Sequence, residues 1–593
     1  MSRTLPLLFT VLFSACALAD ATAPATATTP ATATTPPSTT TAPAAGRFSL
    51  DDVFTPVAAT GGMVVSEEEL ASEVGANVLR RGGNAVDAAV ATALALAVVL
   101  PEAGNLGGGG FMLVHLAKEN RTIALDYREV APRAATRDMY LKADGSVDHD
   151  ELDHGAKSVG VPGTVAGLAY ALEQWGTMKW WQVVDPALAL ADKGYVLNAT
   201  QAASLEYGRE RLLLNEEAKR VYLEADGTAP KMGTRRRYAD LAASLKLIKT
   251  TGPRAIYGGP VGQKIVDDVQ RLGGVLSMQD LRDYRPTERE AVTGTYRGFE
   301  VVSMPPPSSG GVHLVQMLNI LEGWPLAQYG AGSAQGLHLM TEAMRRAYAD
   351  RSEYLGDPDF VKVPVAALTS KDYAASLRAQ IDPARATPSS AVKPGNLAPY
   401  ESTQTTHFSV MDRDGNAVAN TFTLNWSYGS GIVAKGTGIL LNNEMDDFSA
   451  KPGEPNAFGL LGGEANAVQP GKTPLSSMTP TMLMKDGKVF LVTGSPGGSQ
   501  IITTVLQTIV NVVDHGMNIQ TAAHAPRIHH QWWPDELLVE RTLSPDTVTL
   551  LRGKGHTVTP TYPIGTTQTI LYWDGLFQGA ADPRRGGGRA VGL

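Results

Sequence analysis

The segment QTTHFSVMDRDGNAVANTFTLN, Gln404 to Asn425, constrains the fold of this chain more than any other stretch. Its two arms alternate residue by residue around DRDGN. Arg413-Asp414-Gly415 has the signature of a three-residue hairpin loop with Gly415 in the left-handed position. Such a loop pairs Asp412 with Asn416. Counting back along both arms then sets Thr405 opposite Thr423, with Asn425 diagonally beyond it on the same face. The first threonine of the pair, not the second, therefore faces a hydroxyl and an amide. A loop one residue longer or shorter would reverse the faces, and Thr-Thr cross-strand pairs are common in structural sheets. The geometry alone leaves both a structural and a catalytic reading open.

The catalytic reading needs chemistry without a thiol, because the only cysteine of the 593 residues is Cys16, close to the N-terminus. That excludes disulfides, thiolate catalysis and cysteine-ligated metals from the body of the protein. A threonine hydroxyl is a weak nucleophile inside a chain. If the peptide bond before it breaks, the new α-amine, with a reference pKa of roughly 8, becomes a base beside its own hydroxyl.

The N-terminus reads as an address. MSRTLPLLFTVLFSACALAD carries Arg3, an apolar run from Leu5 to Phe13, and Ala17 and Ala19 in A-x-A spacing before Asp20. Residues 1–19 thus have the form of a cleaved signal peptide, too short to span a bilayer. Cys16 also stands where a lipoprotein signal places its modified residue, although Phe13 is a poor match three positions earlier. Residues 20–46 are almost entirely Ala, Thr and Pro and form an expected disordered tether. Export to the periplasm or cell envelope is the expectation. The net charge of −8, without a basic stripe, argues against a nucleic-acid partner.

From Phe48 onward helix and strand signals alternate. SEEELASEVGANVLRRGG opens with Ser66 and Glu69 in capping-box spacing and stops at Gly82-Gly83, while NAVDAAVATALALAVVLP runs from Asn84 to Pro101 as a buried, Ala-rich helix. AQGLHLMTEAMRRAYADRSEYLGDP is a long amphipathic helix. KVFLVTG, TVTPTYP and QTILYWDG are short β-type runs. His529-His530 invites a metal reading, but adjacent histidines on a strand point in opposed directions, which favours structural roles and no metal.

At this level of detail the chain resembles the γ-glutamyltranspeptidases, also called glutathione hydrolases. The resemblance is carried by the hairpin itself and by GILLNNEMDDFSAKPG, PLSSMTPTM, LVTGSPGGSQIITTVLQ and APRIHHQWWPDE. Upstream, GGNAVDAAVATALAL, LDYREVAP, AYADRSEYLGDPDF and PPPSSGG add to it. It covers essentially everything from Phe48 to Leu593. It implies an α+β fold, the four-layer αββα sandwich of the N-terminal-nucleophile hydrolases. The family makes this as one precursor that cuts itself into a large subunit, here 47–404, and a small subunit, here 405–593. No cofactor is implied.

Carried over residue by residue, the resemblance implies cleavage between Gln404 and Thr405, with Thr405 as nucleophile and Thr423 as its supporting hydroxyl, which agrees with the hairpin count. TGSPGGS is neither a Walker loop nor a nucleophile elbow. In the family's pattern the amides of Gly497 and Gly498 form the oxyanion hole, where glycine lets the backbone approach the acyl oxygen. A γ-glutamyl head carries an α-carboxylate and an α-ammonium, so it needs a cationic and an anionic pocket a few ångströms apart. Arg128, with Ser476 and Ser477, resembles the carboxylate clamp, and arginine can bind a carboxylate through two parallel bonds. Asn425, Glu444 and Asp447 resemble the set that accepts from the ammonium. Two departures stand out: Glu444 occupies a position where some bacterial relatives have Gln, and Phe458 stands where several place a tyrosine gate in the lid.

Three functions remain open. The first is a γ-glutamyl enzyme acting on glutathione and related amides, with water, amino acids or dipeptides as acceptors. The second is a glutaryl- or cephalosporin-type acylase, against which Glu444 and Asp447 argue. The third is a non-catalytic envelope-tethered binding protein, against which the complete set of Thr405, Thr423, Gly497 and Gly498 argues.

Overall fold

Two seven-stranded antiparallel sheets carry the structure, and each draws strands from both sides of position 404. The computed structural model describes residues 52–393, 405–451 and 463–593. Cys16, the 1–19 and 20–46 segments, Gln404 and Phe458 lie outside the described residues.

The hairpin sits in the middle of the first sheet. Strand Thr406–Asp412 pairs with Ala417–Thr423, Thr406 opposite Phe422 and Met411 opposite Ala417, a register that puts Thr405 opposite Thr423. The Asp412 N–H donates to the Asn416 carbonyl at 3.0 Å, and Gly415 takes φ +87°, as the loop reading requires. Gly62–Ser66 and then Arg589–Gly592 continue the sheet on one side. Gly109–Leu116, Arg121–Asp126 and Thr287–Arg289 continue it on the other. The second sheet runs Val57–Ala59, Leu576–Ala581, Gln568–Trp573, Lys488–Thr493, Thr481–Lys485, Phe299–Ser303, Val292–Tyr296.

Alternation along the strands sends successive residues into different layers. Phe408, Val410, Val418 and Phe422 pack against helices Glu69–Arg80 (α1) and Ala85–Val99 (α2). Met411, Ala417 and Ala419 meet Met482, Val492 and Ile570 of the second sheet. On that sheet's far face Val301, Leu483 and Leu491 pack against Gly310–Leu321 (α3), Ala334–Tyr354 (α4) and Gln500–Val513 (α5). Three apolar layers between four layers of structure make an αββα sandwich.

Helix α2 is buried along its whole length, as expected, and it opens with a capping box, Asn84 with Asp87. Among the described residues no helix is long and apolar enough to cross a membrane. The start of α1 differs from its expected form. Its N-cap is Glu68, whose carboxylate accepts from the amides of Leu70 and Ala71, whereas Ser66 completes a strand and bonds to Ser72 and the Glu68 carbonyl. Strand pairing claims Ser66, so the nearest acceptor behind the first turn takes the cap.

Helices α1 and α2 cross at Gly75, where a Cβ would stand 2.2 Å from the Thr92 hydroxyl oxygen and 3.0 Å from a Val64 methyl. Gly75→Ala is expected to force the helices apart and destabilise by about 1–3 kcal/mol despite its better helix propensity. A lowered urea midpoint by circular dichroism checks this.

Candidate active site

Thr405 precedes the central strand and is almost fully buried. Its hydroxyl donates to Thr423 Oγ1 at 3.4 Å, and Thr423 Oγ1 also accepts from the Asn425 N–H at 2.8 Å. Asn425 leaves the return strand with φ +76°, which turns its amide side chain back toward Asn443 and Asp446. Its Nδ2 donates to the Asn443 carbonyl at 3.1 Å and stands 3.5 Å from Asp446 Oδ2. One step further along the face, His407 pairs with Thr421 at 2.8 Å, and burial pushes its imidazole down to about 3. It is neutral across the physiological range.

Gly497 and Gly498 form the turn between strand Lys488–Thr493 and α5, both at positive φ, +130° and +54°. Their carbonyls accept from Gln500 and Ile501 and so open the helix. The positive end of α5 therefore points at the region beside Thr405, a favourable place for developing negative charge.

One narrow cavity brings together Arg128, Thr405, Thr423, Asn425, Glu444, Asp447, Ser476, Ser477 and Gly498. Gly497 is adjacent to the lining rather than part of it. A wider cleft of about 300 Å³ beside Arg128 is walled by charged side chains including Asp126, Arg289 and Asp359, and lacks Thr405.

The charged groups are arranged differently from the expected pair of separate pockets. The Arg128 guanidinium lies 2.6 Å from Glu444 Oε1, contacts Asp447 directly, and donates through Nε to the Pro474 carbonyl at 2.9 Å. In a buried site opposite charges find each other before any ligand arrives. Burial still pushes Glu444 up to about 8 and raises Asp447, against the pull of Arg128.

Two groups escaped the reading of the sequence. Arg351 lies in the cavity lining and donates to Ser309 Oγ at 2.9 Å and Ser477 Oγ at 3.1 Å. Burial lowers it to about 10, so it is still a cation at neutral pH. Its signal was a charge in the last turn of the buried helix α4. Asp446, behind Asn425, accepts from Trp426 Nε1 at 2.8 Å. His529 is held by Thr503 and Gln531, and His530 by Trp532 N–H and Asp535, as structural histidines. His338, Glu342 and His556 cluster closely enough to suggest a metal. There the two imidazoles bond to each other at 2.8 Å and Glu342 pairs with Arg345 and Arg346, while His556 Nδ1 is buried without a hydrogen-bond partner.

A threonine heading a central strand of an αββα sandwich, beside a glycine turn at a helix N-terminus, defines the N-terminal-nucleophile hydrolase class. A family model described as Gamma-glutamyltranspeptidase matches residues 71–592. The Glutathione hydrolase proenzyme of Escherichia coli (strain K12) is 54% identical over 536 residues, covering 90% of this chain and 92% of that protein. The chain belongs to the γ-glutamyltranspeptidase family. Among solved structures, a cephalosporin acylase from Bacillus halodurans matches with a TM-score of 0.82 at 28% identity, over 92% of this chain and 98% of that one. The γ-glutamyltranspeptidase of Helicobacter pylori, 44% identical, matches with a TM-score of 0.55 over 59% of this chain and 97% of that one.

The Thr405–Thr423 contact generates a direct test. Thr423→Val keeps the shape but removes the hydroxyl, and is expected to lower kcat/KM roughly 10- to 100-fold. Thr423→Ser, measured alongside on the same chromogenic amide, should restore most of the loss.

Proposed function

We propose that this protein is a self-processing γ-glutamyl enzyme that opens glutathione and other γ-glutamyl amides through an acyl-enzyme on Thr405. The observation that carries the reading is one cavity in which Thr405 shares space with an arginine and two carboxylates. A γ-glutamyl head is a zwitterion at its α-carbon, and this array offers a partner to each of its charges.

In the intact chain Thr405 Oγ attacks the Gln404 carbonyl, the peptide nitrogen leaves, and the acyl chain moves onto oxygen. That departing nitrogen is the Thr405 α-amine, already free in the ester; water then hydrolyses the ester, releasing the Gln404 carboxylate and restoring the Thr405 hydroxyl, and so divides 47–404 from 405–593. The amine next takes the proton of its own hydroxyl as Oγ attacks the γ-carbonyl of the substrate. Negative charge on the carbonyl oxygen faces the Gly497 and Gly498 amides. Collapse expels the amine of the leaving dipeptide, which takes up the proton, and leaves a γ-glutamyl ester on Thr405. Water, or the amine of an amino acid or dipeptide, attacks that ester and releases the product.

The substrate carboxylate is assigned to Arg128 with Ser476 and Ser477, and its ammonium to Asn425, Glu444 and Asp447. Since the array is already paired, binding exchanges partners instead of filling empty pockets. With Asn425 Nδ2 donating to the Asn443 carbonyl, its Oδ1 is the atom left to accept from the ammonium. Phe458 is assigned to a lid, the 1–19 segment to export to the envelope, and Cys16 is the candidate for a lipid anchor. The acylase reading draws on the Bacillus halodurans likeness, and Glu444 with Asp447 weighs against it, because a glutaryl group brings no cation.

Purified wild type is expected to migrate as two fragments, the smaller beginning at Thr405, and Thr405→Ala as one uncut, inactive chain. Terminal sequencing that places the cut elsewhere sinks the mechanism. Asp447→Asn should lower kcat/KM on a γ-glutamyl anilide by one to three decades, on the order of 2–4 kcal/mol. A glutaryl anilide should lose much less. Equal losses on both would make Asp447 a structural partner of Arg128 alone.

A further inference from the structure

Arg351 takes part in no step of the proposed chemistry, yet it is only 4% exposed and lines the same cavity as Thr405. Among the described residues it has no carboxylate within ion-pair distance. Its acceptors are two neutral hydroxyls: Nε donates to Ser309 Oγ at 2.9 Å and Nη2 to Ser477 Oγ at 3.1 Å. A buried guanidinium without a counter-ion is costly. The other arginine of the cavity, Arg128, is by contrast engaged by Glu444 and Asp447.

The directions of the hydrogen bonds explain what the cation does there. Arginine only donates, so Ser477 Oγ accepts and its own hydrogen is left over. That hydrogen meets no acceptor among the described residues. Neither does the hydrogen of Ser476, whose Oγ accepts from the Met478 N–H at 3.1 Å. Both hydroxyls line the cavity and have a donor to give there. Ser309 accepts from Arg351 in the same way, and then passes its hydrogen to the Ser476 carbonyl at 2.8 Å, where its N–H also donates at 2.8 Å. The Ser476 N–H donates in turn to the Pro307 carbonyl at 2.9 Å, and Ser308 Oγ to the Met478 carbonyl at 2.6 Å. The PPPSSGG run is thus a strap laid along the serine pair. Arg351, in the last turn of α4, ties the strap and Ser477 together.

We infer that Arg351 is a positioning residue for the substrate's α-carboxylate: by donating to Ser477 and Ser309 it turns the Ser477 hydrogen into the cavity, fixes Ser476 beside it, and sets a second positive charge behind the pair. The carboxylate then meets donors that are aimed before it arrives, which lowers the ordering cost of binding. The cation gains its counter-charge when a ligand brings one, so the site selects for the carboxylate itself and not for size. The inference rests on the proposed γ-glutamyl reading only for the identity of the group that carries the carboxylate.

A 4-aminobutyryl anilide is the γ-glutamyl anilide without its α-carboxylate. On processed protein, Arg351→Met should raise KM for the γ-glutamyl anilide roughly 10- to 100-fold with a smaller change in kcat, and alter kcat/KM for the 4-aminobutyryl anilide by less than about threefold. Equal losses on both substrates would make Arg351 a purely structural residue and overturn the inference. Action through Ser477 is read from a double-mutant cycle of Arg351→Lys and Ser477→Ala on the γ-glutamyl anilide. The lysine substitution should cost much less once the Ser477 hydroxyl is gone, and additive losses overturn the inference. Should Arg351→Met not fold, the cycle decides. Glutaryl and γ-glutamyl groups share the carboxylate. A wild-type preference for a glutaryl anilide would therefore overturn the γ-glutamyl reading and leave the loss of carboxylate selectivity in Arg351→Met as the supporting result.

Discussion

The register of the central hairpin is the constraint on which the rest depends. Thr406–Asp412 and Ala417–Thr423 are each paired on both edges, Phe408 with Ser66 and Asn420 on one strand, Thr423 with Gly109 on the other. A one-residue slip would break two ladders at once and rotate the Thr405 hydroxyl out of the space between the sheets into the α1–α2 layer. Neighbouring backbone enforces the same choice. At Gly108 a Cβ would stand 2.1 Å from the Thr423 carbonyl oxygen, so the run Gly107–Gly110 is fitted closely around the end of the return strand.

The charges in the cavity answer to a different requirement. Burying Arg128 with Glu444 and Asp447 is poor value as a source of stability, because desolvation offsets most of the attraction. Such an array does fix the positions of several charged atoms to within a narrow tolerance. A ligand that brings one charge of each sign can enter it by substitution, whereas a ligand with only one charge leaves a group unpaired. Selectivity of this kind comes from the cost of leaving partners behind, and requires no contact to be unusually strong.

How much of this was legible in the sequence follows from the distance over which each feature is decided. The Thr405–Thr423 pairing could be counted from DRDGN because loop length and alternation are local. Helix α2 could be read from Asn84, Pro101 and the Ala-rich apolar run between them. The cap of α1 was misjudged because Ser66 is claimed by strand partners far away in sequence, Val64 with Val410 among its neighbours in the ladder. Arg128 and Asp447, separated by 319 positions, were each recognised through the family pattern, but nothing local said that they touch. Arg351 looked like one charge at the end of an amphipathic helix. It owes its position to burial, which only the packed sheets and helices decide.

The interleaving of the sheets has a consequence for what a break between 404 and 405 does. Three of seven strands in one sheet and four of seven in the other come from the segment after that bond. Two polypeptides divided there would be separate molecules only in the covalent sense; neither would hold a complete sheet of the sandwich. In one continuous chain each segment serves as the other's folding template. Mixing the two pieces after separate synthesis asks unpaired strand edges to find each other through solution, at intermolecular cost and with exposed edges open to wrong partners. A single precursor gives every strand its neighbour at high effective concentration. Continuity of the chain across 404 and 405 is thus what assembles the two interleaved sheets.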